Sequence, residues 1–184
     1  MNILCIIPAR KNSKGIVNKN IKLINNKPLI FYTISKAKKS KLIDEIIVSS
    51  DSDKIRKLSQ KYKINNFSLR PNYLATDKST INKTLKYELR RIEKIKNKKF
   101  EIIVLLQPTS PLRDNKIIDR SIRLFLKKIN RFDSLMSISK FDEPSPFKTY
   151  IFKNKNLKKL INFKTKNDTT PRQYFPDVYI PNGI

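Results

Sequence analysis

Short runs of β-branched and other apolar residues alternate along this chain with longer amphipathic segments. The apolar run at residues 3–7 is followed by an amphipathic segment at 30–39, and the run at 45–49 is followed by one at 54–62. Short strands separated by helices favour a mainly parallel sheet with helices packed on both faces. The pattern therefore predicts an α/β fold with three layers.

The same alternation continues through the middle of the chain. We expect a weak strand at 67–69, a helix from about 79 to 96, a strand at 102–106, a helix near 117–129 and a strand near 134–138. The strands at 3–7 and 102–106 are apolar at nearly every position, which is typical of strands that are buried on both faces. Beyond about residue 141 the alternation ends, and proline, aromatic residues and lysine become frequent. We interpret residues 141–171 as an extension within a single domain that occupies residues 1–184.

Several classes of protein are excluded by simple features of the sequence. No apolar run approaches the roughly 20 residues that a membrane-spanning helix requires. The apolar start has no basic residue before it and no small-residue cleavage site after it, so we do not expect a secretory signal peptide. The single cysteine, Cys5, cannot form an intrachain disulfide, and we expect it to be a buried core residue. These features predict a cytoplasmic protein that does not enter a membrane.

The formal net charge of +26 points, by itself, to nucleic acid, phosphates or an acidic membrane surface. The basic residues are spread through every segment, however, and do not form one stripe. Lysine, asparagine and isoleucine, which all have A/T-rich codons, are abundant. Solvated helix faces and genomic base bias account for this pattern better than a DNA-binding surface does. We therefore expect no specific nucleic-acid partner.

A basic loop follows the first predicted strand and occupies residues 8–20. It holds four cations within ten positions, namely Arg10, Lys11, Lys14 and Lys19. In an open parallel sheet, ligands bind outside the carboxyl ends of the strands. Cationic side chains and backbone N–H groups around a glycine suit a polyphosphate, which offers many acceptor oxygens. On composition alone, a phosphate-binding loop and a solvated basic turn are equally good interpretations.

The sequence lacks the best-known phosphate-binding motifs, because it contains neither G-x-x-x-x-G-K-[ST] nor G-x-G-x-x-G. A P-loop NTPase and a Rossmann dehydrogenase are therefore excluded. The chain also contains no histidine, so it has no Ser-His or Cys-His pair and no hydrolase triad.

The basic loop resembles the I-P-A-R-x-x-S-K-x-x-x-x-K-N signature of the acylneuraminate cytidylyltransferases, the CMP-N-acetylneuraminic acid synthetase family. Three further blocks resemble the same family in the same order, and they lie at residues 69–77, 105–113 and 172–183. The similarity covers nearly the whole chain. It implies a Rossmann-like nucleotidyltransferase fold of the nucleotide-diphospho-sugar transferase type, with a small dimerisation extension.

The resemblance implies a CTP site built mainly from the basic loop. Arg10, Ser13 and Lys14 match family positions that bind the triphosphate, as do Lys19 and Asn20. Arg10 and Lys19 are also implied to be catalytic, because they would stabilise charge as pyrophosphate leaves.

The resemblance assigns the remaining site residues to the nucleoside and to the sugar. Arg70 and Thr80 match positions that face the cytosine and the ribose. Gln107 matches a position that contacts the acceptor sugar. Lys148 and Arg172 match basic positions that help to hold the sugar carboxylate, in part across a homodimer interface.

The implied reaction is attack by the anomeric hydroxyl of an acidic nine-carbon sugar on the α-phosphorus of CTP, which gives the CMP-sugar and pyrophosphate. Positioning and electrostatic stabilisation dominate such transfers, so arginine and lysine can supply most of the catalysis. A divalent ion, Mg²⁺ in the first instance, is expected to bridge phosphate oxygens. Asp51 and Asp77 are expected to cap helices or form turns, so we assign no metal ligand.

The chain departs from the family pattern at its end. Family members continue after the Asn-Gly element with a strand, a helix and an Asp-x-Asp segment that binds the metal, whereas this chain stops at Ile184. We interpret it as a fragment of a longer enzyme, and the alternative is a naturally short, catalytically impaired nucleotide-binding protein.

The CMP-Kdo synthetases are the nearest alternative within the enzyme class, because they share the fold and the Pro-Ala-Arg opening. The residues at 19–20 and 107–111 resemble the sialic acid type instead. N-acetylneuraminic, legionaminic and pseudaminic acids all stay open as the sugar.

Overall fold

A computed structural model of the chain describes residues 1–11, 15–64, 69–76, 79–141, 146–154, 156–161 and 174–182. The chain divides into two compact units, Met1–Leu135 and Met136–Asn182. The first unit contains a parallel sheet, and the second contains two antiparallel strand pairs. None of the helices described is both long enough and apolar enough to cross a membrane.

The first unit alternates strands and helices. Its elements in chain order are β1 (Ile3–Pro8), β2 (Leu23–Ile24), β3 (Lys27–Pro28), α1 (Leu29–Lys38), β4 (Glu45–Ser49), α2 (Asp53–Lys61), α3 (Ile81–Lys96), β5 (Ile102–Leu105) and α4 (Asn115–Leu126). The short strands β2 and β3 pair as an antiparallel hairpin, and two short 3₁₀ helices cover Lys19–Ile21 and Asn72–Leu74.

The main sheet is parallel and has the strand order β4-β1-β5. Strand β1 lies at its centre, and all but the last of its residues are buried. A strand with a helix layer on each face needs apolar side chains on both faces, which explains its continuous apolar sequence. The predicted parallel α/β sheet is therefore confirmed.

Helices cover both faces of this sheet. Because side chains alternate along a strand, Cys5 of β1 packs with Ile34 of α1 and Ile118 of α4 on one face. Leu4, its neighbour in β1, packs with Ile92 of α3 on the other face. The three predicted layers are thus confirmed.

The first residues of α2 and α4 follow side-chain caps that the apolar pattern alone does not show. Helix α2 begins after Ser52, whose hydroxyl accepts a hydrogen bond from the Ile55 N–H (3.5 Å). Helix α4 begins after Asp114, whose carboxylate accepts one from the Lys116 N–H (3.1 Å). Helix α4 therefore starts earlier in the chain than the predicted 117–129.

Two of the predicted strands are not described by the structure at the predicted residues. Most of the weak strand predicted at 67–69 lies outside the described residues, and Leu69 itself is not in a strand. The strand predicted near 134–138 is wrong, because strand β6 (Ile138–Phe141) begins where that prediction ends. Its partner is an antiparallel strand of the second unit, so β6 is not part of the main sheet.

The second unit contains β6, a short 3₁₀ helix at Pro146–Lys148, β7 (Tyr150–Lys153), β8 (Asn156–Lys159) and β9 (Val178–Pro181). Strand β6 pairs with β9, and β7 pairs with β8. The extension predicted at 141–171 lies inside this unit, and its role in dimerisation stays a prediction.

The single cysteine, Cys5, is completely buried in β1, as the sequence predicts. Burial raises the pKa of its thiol from the ordinary 9.0 to about 12, because the thiolate would lose its hydration, and nearby Arg113 opposes this effect. The thiol therefore keeps its proton in the folded chain at pH values where the unfolded chain has lost it.

This difference predicts an alkaline loss of stability. Below about pH 9 the thiol is protonated in both states, and above it only the unfolded state releases the proton, so the free energy of unfolding falls as pH rises toward 12. We expect a loss of up to about 1.4 kcal/mol per pH unit from this group. Urea unfolding of the wild type and of Cys5→Ala at several alkaline pH values measures it. Equal pH dependence in both proteins would contradict the prediction.

Candidate functional site

The carboxyl ends of the three main strands lie at one edge of the sheet, because the strands run in the same direction. Arg10 follows β1, Asp51 follows β4 and Gln107 follows β5. In an open parallel sheet this edge is where ligands bind. The described residues that were predicted to bind CTP all lie in the first unit.

The basic loop is held in place by hydrogen bonds at both of its ends. At its start, the Lys11 N–H donates to the Asp51 carboxylate (2.7 Å). At its end, the Asn20 side-chain amide donates to the Arg10 carbonyl oxygen (3.0 Å). The loop therefore closes on itself and is attached to the segment after β4.

Lys19 and Asn20 are adjacent in sequence but lie in different environments. They begin the short 3₁₀ helix Lys19–Ile21, which follows Asn18 in the left-handed conformation (φ 54°). Asparagine adopts this conformation more readily than most residues. Asn20 is buried and holds the loop, whereas Lys19 is half-buried. Of these two predicted triphosphate ligands, Asn20 therefore uses its side chain to hold the loop together.

Helix capping and turn formation were both expected roles for Asp51, and the structure shows that Asp51 does not cap a helix. Ser52 occupies the capping position of α2, and the Asp51 carboxylate accepts the Lys11 N–H instead. Asp51 therefore connects the end of β4 to the basic loop. Asp77 lies outside the described residues.

Arg70 is a buried arginine that binds the end of β4. Its backbone N–H donates to the Ser50 carbonyl (2.7 Å), and its Nε donates to the Ser49 hydroxyl (3.0 Å). Its Nη2 donates to the Ser49 carbonyl (2.5 Å), and its Nη1 donates to the Leu74 carbonyl (3.4 Å). Arg70 lies at the predicted edge of the sheet, and its guanidinium binds protein oxygens there.

Charges of both signs surround Arg70. Burial lowers the pKa of its guanidinium, while the carboxylates of Asp51 and Glu88 raise it and the charge of Arg10 lowers it further. Arg10, Asp51 and Arg70 are therefore close enough to interact electrostatically. This edge thus holds two arginines of the predicted CTP site.

Thr80 and Gln107 both lie in the first unit and are exposed. Thr80 immediately precedes α3, and Gln107 lies just beyond β5. The Gln107 carbonyl accepts a hydrogen bond from Nη2 of Arg113 (3.1 Å), a buried arginine whose pKa is lowered by burial. Sequence analysis assigned no role to Arg113, which fixes the backbone at a predicted sugar-binding position.

The other predicted site residues lie in the second unit or outside the described residues. Lys148 is exposed in the second unit, with its Nζ 5.9 Å from the ring centroid of Phe175. Ser13, Lys14 and Arg172 lie outside the described residues. The roles of these four residues stay predictions.

Glu88 and Ser49 are two residues of this region that sequence analysis missed. Glu88 is completely buried and accepts hydrogen bonds from the Ser49 hydroxyl (2.6 Å) and from Nε of Arg91 (2.8 Å). A signal for Glu88 exists, because Thr84, Glu88 and Ile92 are spaced four residues apart and form the buried face of α3. A carboxylate in an otherwise buried face needs partners, and here Ser49 and Arg91 supply them.

A cavity of about 390 Å³ lies beside the basic loop. Lys11 and Asn18 line it from the loop, and Asp51, Asp53 and Lys54 line it from the segment that begins α2. Its volume falls in the range of small-molecule pockets. Ile21, Ile55 and Leu69 add apolar surface, so the loop borders a cavity with a mixed charged and apolar lining whose size suits a small ligand.

The described residues do not fit a metal ion held by the protein alone. Within the described ranges, no three side chains of the metal-ligating types lie together. The cavity holds two carboxylates, of which Asp51 accepts the Lys11 N–H and Asp53 pairs with Arg56 (2.7 Å). A magnesium ion prefers several oxygen ligands, which this pair does not supply.

Comparison with known proteins identifies the family of the chain. A family model described as cytidylyltransferase matches residues 4–167, which include the basic loop, strands β4 and β5, and all of β1 except its first residue. The chain belongs to the cytidylyltransferase family. The family resemblance inferred from the sequence motifs is therefore confirmed.

Curated cytidylyltransferases share about a third of their residues with the chain in the aligned regions. N-acylneuraminate cytidylyltransferase of Escherichia coli is 36% identical over 143 residues, which are 78% of this chain and 32% of the relative. CMP-N,N'-diacetyllegionaminic acid synthase of Legionella pneumophila is 38% identical over 124 residues, 67% of this chain and 53% of the relative. Pseudaminic acid cytidylyltransferase of Campylobacter jejuni is 30% identical over 157 residues, which are 85% of this chain and 66% of the relative. The chain thus spans between about a third and two thirds of the length of these relatives.

Solved structures confirm the cytidylyltransferase fold. A CMP:2-keto-3-deoxy-manno-octonic acid synthetase complexed with CTP has a TM-score of 0.56 at 17% identity and covers 76% of this chain and 52% of its own. A 4-diphosphocytidyl-2C-methyl-D-erythritol synthase has a TM-score of 0.56 at 9% identity, and the match covers 79% of this chain and 64% of the synthase. At these identities the similarity establishes the three-layer nucleotidyltransferase fold.

Proposed function

We propose that this protein activates a sialic-acid-like nine-carbon sugar acid with CTP, giving the CMP-sugar and pyrophosphate. The observation that carries the proposal is the basic loop, which is fastened beside a cavity at the carboxyl edge of a cytidylyltransferase sheet. The printed names of the relatives support the sugar class, because they specify N-acylneuraminate, legionaminic acid and pseudaminic acid.

The proposed chemistry requires positioned positive charge. The anomeric hydroxyl of the sugar attacks the α-phosphorus, and the bond from that phosphorus to the bridging oxygen of the β-phosphate breaks. Arg10 and Lys19 stabilise the negative charge that builds up on the departing pyrophosphate. The chain has no histidine to serve as a base, and the proton of the hydroxyl is released to solvent water as the new P–O bond forms.

Magnesium, a homodimer and a cytoplasmic location complete the proposal. The ion would neutralise charge on the phosphates of CTP. Exposed apolar side chains of the second unit, including Phe152 and Leu157, support a dimer interface there. CTP is a cytoplasmic metabolite, which supports the proposed location.

A CMP-Kdo synthetase is the second candidate, since a CTP-bound member of that group shares the fold. The sequence runs at 19–20 and 107–111 favour the sialic type. Parallel assays with N-acetylneuraminic, legionaminic and pseudaminic acids and with Kdo separate these substrates.

Thermal unfolding with CTP, UTP and ATP, followed by a pyrophosphate-release assay, tests the proposal. A ligand that binds only the folded state stabilises it by about 2.7 kcal/mol at a hundred times its Kd. We expect CTP to raise the unfolding temperature more than UTP or ATP, and we expect pyrophosphate only with CTP, Mg²⁺ and a nonulosonate. No shift at millimolar CTP would rule out the nucleotide site. A shift without pyrophosphate release would instead indicate the catalytically impaired alternative.

A further inference from the structure

Glu88 is a completely buried carboxylate on α3 to which the proposed reaction assigns no role. A buried charge is strongly unfavourable unless it is paired and hydrogen-bonded. Its Oε1 accepts from the Ser49 hydroxyl (2.6 Å), and its Oε2 accepts from Nε (2.8 Å) and Nη2 (2.5 Å) of Arg91. Arg91 thus pairs the charge, and the other oxygen is directed to the end of β4.

Ser49 is the residue at which β4, the basic loop and Arg70 meet. Its carbonyl accepts from the Ala9 N–H (2.8 Å) and from Nη2 of Arg70 (2.5 Å). Its hydroxyl accepts from Nε of Arg70 (3.0 Å). A serine hydroxyl has one proton to donate, and Glu88 accepts it. With the proton directed to Glu88, the lone pairs of the hydroxyl are available to Arg70.

The same contacts join two predicted parts of the CTP site. Arg70 begins the segment 70–76, and Thr80 precedes α3, the helix that carries Glu88. Both residues match positions for the cytosine and ribose. The chain of contacts from Glu88 through Ser49 to Arg70 therefore connects α3, the end of β4 and the segment 70–76. The negative charge of Glu88 also raises the pKa of the buried Arg70 guanidinium, which favours its charged form.

We propose that Glu88 is a positioning residue of the nucleotide site, because it orients the Ser49 hydroxyl and thereby holds Arg70 against the end of β4. The proposal rests on the proposed CTP function and adds to it a residue that does not touch the nucleotide. It predicts that the charge of Glu88 affects how tightly and how selectively CTP is bound, and affects the transfer step much less.

Glu88→Gln tests the proposal, because it preserves the size of the side chain and removes its charge. We expect the KM for CTP to rise about tenfold, kcat to change by less than about threefold, and the preference for CTP over UTP to decrease. Glu93→Gln is the matched control. Glu93 lies on the same helix, and it accepts a hydrogen bond from the Phe100 N–H (3.0 Å) at the far end of α3. We expect that variant to lose stability without a change in KM or in nucleotide preference.

A second variant and a ligand-free measurement cover the case in which Glu88→Gln does not fold. Ser49→Ala removes the hydroxyl between Glu88 and Arg70, and we expect a smaller change in the same direction. NMR exchange of the Arg70 Nε–H in the free protein reports its contact with Ser49 directly. We expect faster exchange in Glu88→Gln and unchanged exchange in Glu93→Gln.

The outcomes separate this proposal from the proposed function. Unchanged KM, unchanged CTP preference and unchanged Arg70 exchange in both Glu88→Gln and Ser49→Ala would overturn the role of Glu88. Failure of the wild type to bind CTP would overturn the proposed function, and the Arg70 exchange rate would still decide whether Glu88 holds that side chain.

Discussion

Replacing Lys19 with alanine should lower kcat for CMP-sugar formation by about a hundredfold or more, which is the typical effect of removing one group that stabilises transition-state charge. Lys19 is half-buried at the end of the basic loop and matches a family position at the triphosphate. The adjacent Asn20 makes the hydrogen bond that closes the loop, so the loop should keep its shape without the Lys19 ammonium. We therefore expect a larger effect on kcat than on KM in steady-state pyrophosphate release.

Lys22→Ala is the control for this variant, since it removes the same charge three residues further along. Lys22 is exposed, and its structural contacts are made by its backbone: its N–H donates to the Lys19 carbonyl (3.2 Å), and its carbonyl accepts from the Leu29 N–H (2.8 Å). Alanine preserves both. We expect nearly wild-type kinetics for it. Equal losses in the two variants would show that overall positive charge, and not Lys19 in particular, determines the rate.

Replacing Arg70 with lysine should lower the free energy of unfolding by about 3 kcal/mol, because it breaks up a buried charged network. The Arg70 guanidinium donates to the hydroxyl and carbonyl of Ser49 and to the carbonyl of Leu74. A lysine ammonium is a single point charge on a flexible stem and does not reproduce this fork of donors. Urea unfolding monitored by circular dichroism measures the loss, and we expect weaker CTP binding in the same variant.

Arg56→Lys is the matched control, because it makes the same substitution on the surface. Arg56 pairs with Asp53 at 2.7 Å, but the two side chains are 33% and 61% exposed. Exposed pairs contribute little, so we expect a change below about 0.5 kcal/mol. A loss of similar size in both variants would mean that burial does not determine how much Arg70 contributes to the free energy of unfolding.

Much of the fold could be predicted from the sequence, because strands and helices have different apolar periods. Strand β1 is apolar along its length and lies at the centre of the sheet, as a strand covered on both faces must. The strand near 134–138 was predicted wrongly because an apolar run does not specify its partner. Strand β6 pairs with β9, and this pairing depends on residues about forty positions away in the chain.

The candidate site also has features that the sequence predicted and features that only the structure showed. The sequence by itself determined the basic loop, its place after β1 and the family to which its motif belongs, since these depend on residues close together in the chain. Only the tertiary structure showed that Asp51 holds the loop and that Ser49 joins Glu88 to Arg70. Glu88 lies 39 residues from Ser49 in the chain. A buried carboxylate takes its role from the groups that satisfy it, and folding alone brings those groups together.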